Sequence, residues 1–297
     1  MKKLFTLLAL IITFSMNAQW SYNSNGSGIQ SSSNNASGYQ STAMGDSSTA
    51  SGDYSTAMGH NITASGWSST AMGSDTTASG SRSTAMGRGT TASGSYSTAM
   101  GYGTTASGSS STAMGRSTTA SGSSSTAMGS DTTASDYASL VIGQYNSSGS
   151  SATSAGSFST SNTAFVIGNG TASNAKSDAF KVMFNGDTTV SNDLTVSGDV
   201  NISSDARLKS NIVSLGSTLS KLLQIDGKYY EMKGKQKIGV LAQEIKEVFP
   251  ELVSEDDNEM LAVNYQGLVP VLINALKEQE DKISRLENLV EKLISKK

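Results

Sequence analysis

The chain of 297 residues contains no cysteine, one histidine and two prolines. Without cysteine there is no disulfide framework, no thiolate metal site and no thiol nucleophile. A single histidine excludes multi-histidine metal centres and a Ser–His–Asp triad. Two prolines exclude collagen and proline-rich spacers. Aromatic residues make up 6% and charged residues 15%, the latter well under the usual share of about 25%. The net charge is −3, and neither half of the chain has the basic excess that a nucleic-acid footprint needs. No cofactor and no metal site is expected, and His60 reads as a solvated turn residue rather than a ligand.

Long apolar runs are scarce as well. The exception is residues 4–14, which follow Met1, Lys2 and Lys3 and precede the small-residue stretch Met16, Asn17, Ala18. A basic start, a short apolar core and a small-residue site are the layout of a secretory signal peptide over residues 1–18. The alternative, an amino-terminal anchor, needs roughly 18–20 apolar residues. The reading is therefore export of the mature chain, to the extracellular space or cell surface, with no integral membrane span after signal removal.

What the sequence has in quantity is repetition. Ser-Thr-Ala-Met-Gly recurs with its methionines at Met44, Met58, Met72, Met86, Met100, Met114 and Met128, a spacing of 14 throughout. Thr-Ala-Ser-Gly alternates with it, its glycines at Gly52, Gly66, Gly80, Gly94, Gly108 and Gly122. Degenerate echoes end at Gly143 and Gly168. A period of seven invites a coiled coil, but a heptad needs two apolar positions and good helix formers, and glycine at every seventh residue costs about 1 kcal/mol per site in a helix. Short β-branched runs closed by glycine read instead as strand–turn–strand–turn. One 14-residue unit is then one coil of a β-solenoid with two short strands. Side chains alternate across a strand, which puts Thr42 and Met44 on one face and Ala43 on the other. So little apolar area per coil predicts that several chains share the Met and Ala positions.

From Ala36 to Gly143 these repeats resemble the heads of trimeric autotransporter adhesins, the YadA-like left-handed parallel β-roll. The resemblance implies a mainly β fold, a homotrimer, and an extracellular protein or glycan as the ligand of the head. The family's carboxyl-terminal membrane barrel is not found in this sequence, so anchoring is not implied. A rival reading is an ice-binding face, since threonines recur regularly, although Met, Arg, Tyr and Asp intrude between them. A calcium-binding roll would need Gly-Gly-x-Gly-x-Asp nonapeptides, and there are none.

Past the repeats, residues 146–162 read as loop. Residues 179–184 alternate like a strand and end at the turn signal Asn185–Gly186; Thr188–Val190 and Leu194–Val196 suggest further short strands of a neck. From Ser204 the composition changes. Leu208, Ile212, Leu215, Leu219, Leu222 and Leu223 recur at helical spacing. Residues 228–232, 237–240 and 260–265 read as strands, and 242–249 as an amphipathic helix stopped by Pro250. A long helix begins at Val269 with a heptad seam: Val269, Leu276, Ile283 and Val290 at one position, Leu272, Gln279, Leu286 and Leu293 at the other. Glu278 and its charged neighbours flank the seam. By rule such a seam leans toward dimers, in conflict with the trimer that the head implies.

The stretch Ser204-Asp205-Ala206-Arg207-Leu208-Lys209-Ser210-Asn211-Ile212 is similar to the opening of the endosialidase-type intramolecular chaperone found at the end of phage tailspikes. Residues 239–244, 250–253 and 263–270 match later motifs of the same family. The resemblance implies a trimerisation chaperone that cuts itself off between Ser203 and Ser204 by a Ser–Lys dyad, here Ser204 and Lys209. Serine needs a base to take its proton, and a lysine base must be neutral, through burial or nearby positive charge; Arg207 is a candidate for that charge. Five residues apart on a helix is about 140° off, so either Ser204 precedes the helix or Lys209 reaches from a neighbouring chain. The plain alternative is that Ser204 and Asp205 form an ordinary helix N-cap. The expected organisation is a signal peptide (1–18), a β-roll head (19–145), a β-rich neck (146–203) and a small α+β chaperone and self-peptidase domain (204–297) ending in a coiled coil (about 268–296).

Overall fold

A computed structural model describes residues 21–22, 26, 28–256 and 259–296. The signal peptide expected over residues 1–18 lies outside the described residues. The chain divides between Gly198 and Asp199 into two units.

The first unit is a β-solenoid. Each coil contributes a five-residue strand, such as Thr42–Asp46, and a two-residue strand, such as Thr49–Ala50. Successive coils pair in parallel with a register of one repeat: Thr42 faces Thr56, Ala43 faces Ala57, Met44 faces Met58. The long strands build one face and the short strands a second, seven-stranded face. The interior is narrow. It is filled by two alanine columns, those of Ala43 and Ala50, and two columns made mostly of serine and threonine, those of Ser41 and Ser48, the latter also holding Ile62 and Asn146, all buried. Small side chains dominate between faces so close together, and Ile62 is the largest admitted. The glycines are required by the neighbouring coil: a Cβ on Gly45 would lie 2.0 Å from the carbonyl oxygen of Gly59, at a φ of +111°.

The alanines are thus spent within their own coil, with no area left to share, which corrects the expectation that chains would meet over Met and Ala together. Thr42 and Met44 point outward and are half-buried only by their neighbours along the ladder. Seven successive coils repeat that outward methionine, and Ile142 and Ile167 take its place in the next two strands, making one apolar stripe.

The solenoid continues past Gly143. Residues 145–162 form a long insertion, after which Thr163–Asn169 resumes the sheet, pairing Leu140 with Phe165 and Gly143 with Gly168. The insertion is not loosely ordered. Asp136 replaces the glycine of its repeat; its buried carboxylate accepts backbone N–H groups from Thr153 at 2.6 Å, Ser154 at 3.3 Å and Thr163 at 2.8 Å. Asp178 accepts two more, from Ser147 at 2.9 Å and Ser148 at 2.8 Å. Asp178–Met183 and Thr188–Val190 then pair antiparallel and end the sheet. The turn is where Asn185–Gly186 signals it, with Gly186 at φ +94°. Leu194–Val196 forms no strand.

The second unit is small and α+β. Hairpin strands Lys228–Met232 and Lys235–Gly239 pair antiparallel, as do Val253–Glu255 and Leu261–Val263. Helix Ala242–Val248 and the 27-residue helix Leu268–Ile294 enclose a core of Ile245, Phe249 and Val271. The seam residues of the long helix face solvent: Leu276, Leu286 and Leu293 are each more than half exposed. Leucine spacing across 208–223 does not yield one helix. Only Ala206–Leu208, a 3₁₀ turn, and Leu219–Leu222 are helical. Asn211 at φ +53° and Gly216 at φ +66° interrupt the run. No helix among the described residues is long and apolar enough to cross a membrane.

Candidate functional site

The segment before the first turn of the second unit brings Ser204 and Lys209 together. Asp205 caps the 3₁₀ turn, its side chain accepting the backbone N–H of Arg207 at 2.9 Å. Ser204 therefore lies outside the turn and its hydroxyl is not used for capping. Lys209 follows the turn in extended conformation, φ −121° and ψ 145°. A 3₁₀ turn advances three residues per revolution, so the chain comes back on itself. Lys209 Nζ sits 2.7 Å from Ser204 Oγ within one chain, which is hydrogen-bond distance for a nucleophile and its base.

Arg207 is occupied elsewhere. Its Nε donates to both Asp205 oxygens at 3.1 Å and its terminal nitrogen approaches Oδ2 at 2.6 Å. The guanidinium holds the Asp205 carboxyl below its ordinary value, and the carboxylate raises Arg207 in return. Arg207 is thereby neutralised as a source of positive charge for Lys209, contrary to the sequence expectation. Ser204 and Lys209 are both exposed in the single chain.

Glu278, read from sequence as a flanking charge of the seam, is instead a tether. Its carboxylate accepts the Ser217 hydroxyl at 2.7 Å, the Thr218 backbone N–H, and the Leu219 N–H at 3.1 Å. The Thr218 hydroxyl donates to the Val271 carbonyl at 3.0 Å. These contacts tie the chain that runs on from the dyad to the long helix. Glu278 is held below its ordinary value, chiefly by the Ser217 hydroxyl and the Thr218 N–H. Nothing in a 60-residue separation announces such a pairing.

His60 is a solvated side chain, as expected, with Nε2 3.7 Å from Asp46 Oδ2. Among the described residues no cluster of His, Cys, Asp and Glu could hold a metal ion.

Comparison with known families agrees with the two resemblances read from the sequence. Residues 36–61, 64–90, 92–118 and 120–146 each match the YadA head domain repeat (2 copies). Residues 204–254 match the chaperone of endosialidase family. No curated protein matches the chain.

Proposed function

We propose that the protein is an exported homotrimeric fibre, adhesin-like in its head, whose terminal domain registers three chains and then removes itself. In this reading the head spans 19–145, the neck 146–203 and the removable domain 204–297. Two unpartnered apolar stripes support self-association: the outward methionines of the head and the exposed seam of the long helix. Registration is a physical need, because identical coils can pair one repeat out of step at almost no energetic difference.

The observation that carries the self-cleaving reading is the 2.7 Å approach of Lys209 Nζ to Ser204 Oγ within the family-matched segment. Neutral Lys209 takes the hydroxyl proton. Ser204 Oγ attacks the carbonyl carbon of Ser203 through a five-membered ring, and the Ser203–Ser204 C–N bond breaks as the Ser204 nitrogen takes a proton. Water hydrolyses the resulting ester, leaving a Ser203 carboxylate and a Ser204 amine. In this reading association of three chains over the open dyad couples cutting to assembly.

Intact-mass measurement tests this. Ser204→Ala leaves a full-length chain. Lys209→Arg keeps a donor at Ser204 Oγ but cannot serve as base, and also leaves it whole. A variant of either kind still split between Ser203 and Ser204 refutes the dyad.

A second reading has one observation in its favour. Thr49, Thr63, Thr77, Thr91, Thr105 and Thr119 form an in-register column on the short-strand face, a regular hydroxyl array suited to ordered water. Thermal hysteresis in the purified protein would support it, and its absence would remove it.

A further inference from the structure

The solenoid sheet ends on an open edge. Its last strand, Thr188–Val190, pairs with Asp178–Met183 on one side and, among the described residues, with nothing on the other. The Met183 N–H donates to the Asp187 carbonyl at 2.8 Å, and the Ser191 N–H to the Ala179 carbonyl at 3.1 Å. Hydrogen-bonded pairs alternate along an antiparallel ladder. Thr189 therefore faces its neighbour, while Thr188 and Val190 turn their N–H and C=O groups to the open side. Such a row of unpaired groups is a template for another strand.

A strand without a partner follows a few residues later. Leu194, Thr195 and Val196 alternate apolar and polar side chains, and two of the three are β-branched, which suits a strand. Leu194 is 71% and Val196 47% exposed. Among the described residues, Leu194, Thr195 and Val196 have no hydrogen-bond partner. The segment does not fold back onto its own edge. Edge and segment match in length, three residues each, and in pattern. The outward apolar stripe runs in register from Met128 through Ile142, Ile167 and Phe180 to Val190, and stops at the open edge. A strand added there, with Leu194 and Val196 beside Thr188 and Val190, extends that stripe.

We propose that the open edge of each chain takes up Leu194–Val196 of a neighbouring copy. The proposal rests on the trimeric reading and names a place where the chains interlock. Strand addition gives the main-chain groups on both sides their partners, and the alternate side chains fix which face turns outward. The contact is heterologous, an edge of one chain against a strand of the next. Three such contacts close a ring and leave neither an edge nor a strand over. The exchange also accounts for a segment with the composition of a strand that forms none in a single chain.

The protein has no cysteine, so introduced thiols report alone. Two full-length chains, one carrying Thr189→Cys and the other Thr195→Cys, are co-produced and treated with a bismaleimide. An arm of about 8 Å covers opposed and diagonal cross-strand neighbours. A link within one chain is impossible, and light scattering reports the assembly. The expected product is two chains joined between positions 189 and 195, because every mixed ring has one such junction. Each chain produced alone stays unlinked. Links between like positions, or no link in an assembly of three chains, overturn the proposal. Hydrogen exchange on the unaltered protein gives a second reading. The amides of Leu194, Thr195 and Val196 should exchange at least about a hundredfold slower than in an unfolded chain, and unprotected exchange in the assembly overturns the proposal. A protein that scatters as a single chain refutes the trimeric reading itself, and the exchange with it.

Discussion

Replacing Gly87 by alanine should break the solenoid at one junction, while the same change two residues away at Gly89 should barely be felt. Gly87 has φ +125°, and a Cβ there would stand 2.0 Å from the carbonyl oxygen of Gly101 and 3.0 Å from its nitrogen. Ordinary carbon–oxygen contacts begin near 3.3 Å, so the coils must part by about 1.3 Å. The flanking inter-coil bonds, Thr84 N–H to Ser97 O and Gly103 N–H to Arg88 O, both 2.9 Å, are stretched with them. Backbone strain of about 1–3 kcal/mol and two bonds worth about 1 kcal/mol each sum to about 3–5 kcal/mol. Gly89, at φ +63°, has no atom within 3.9 Å of its Cβ site, and alanine there costs only about 1 kcal/mol, for the left-handed backbone. Guanidinium unfolding of the full chain, followed through Trp67 beside these coils, reads both. A repeat array need not unfold as one unit, so Gly87→Ala should also split the transition. Equal midpoints for the two variants would refute the account of coil packing.

Other consequences are as specific. The hydroxyls of Ser55, Ser69, Ser83 and Ser97 are buried without a hydrogen-bond partner, so Ser83→Ala should raise the unfolding free energy by about 1 kcal/mol, the opposite of a usual core substitution; a loss would show the hydroxyl to be satisfied. Asp136→Ala removes the acceptor of three backbone N–H groups and should cost about 2–4 kcal/mol, with protease cutting appearing first within residues 146–162; cutting elsewhere first would contradict the pinning role. Because Glu278 is depressed in the folded chain, its tether contributes fully above its unfolded value of 4.5 and is lost as pH falls through the lower folded value. Glu278→Gln should therefore flatten the acid limb of stability of the second unit, and an unchanged acid limb would count against the tether.

The repeat made the solenoid legible, since a 14-residue spacing of glycine and methionine leaves one register. It did not say which face closes the coil. Ala43 and Met44 alternate equally well either way, and only the structure shows that the alanines form the inner column, packed coil on coil. In the second unit the long helix was legible from its heptads. The leucines of 208–223 misled because spacing ignores the left-handed Asn211 and Gly216. The two members of the dyad were legible only through the family motif. Their meeting within one chain depends on Asp205, which caps a three-residue turn too short for any periodicity to register. The row of Tyr39, Tyr54, Trp67, Arg82 and Tyr96 escaped notice for a related reason: its members are split between the two positions of a turn, 39 and 67 at the first and 54, 82 and 96 at the second, which blurs the period of 14. Asp136 and Asp178 were hidden because a carboxylate gathering backbone N–H groups across an insertion has no local signature.

Native mass spectrometry of the protein as it leaves the producing cell tests the central claim most directly. The account predicts an assembly of three chains, each beginning near Gln19 and ending at Ser203, with residues 204–297 recovered separately. Full-length chains, or a single chain stable at all concentrations, would contradict it.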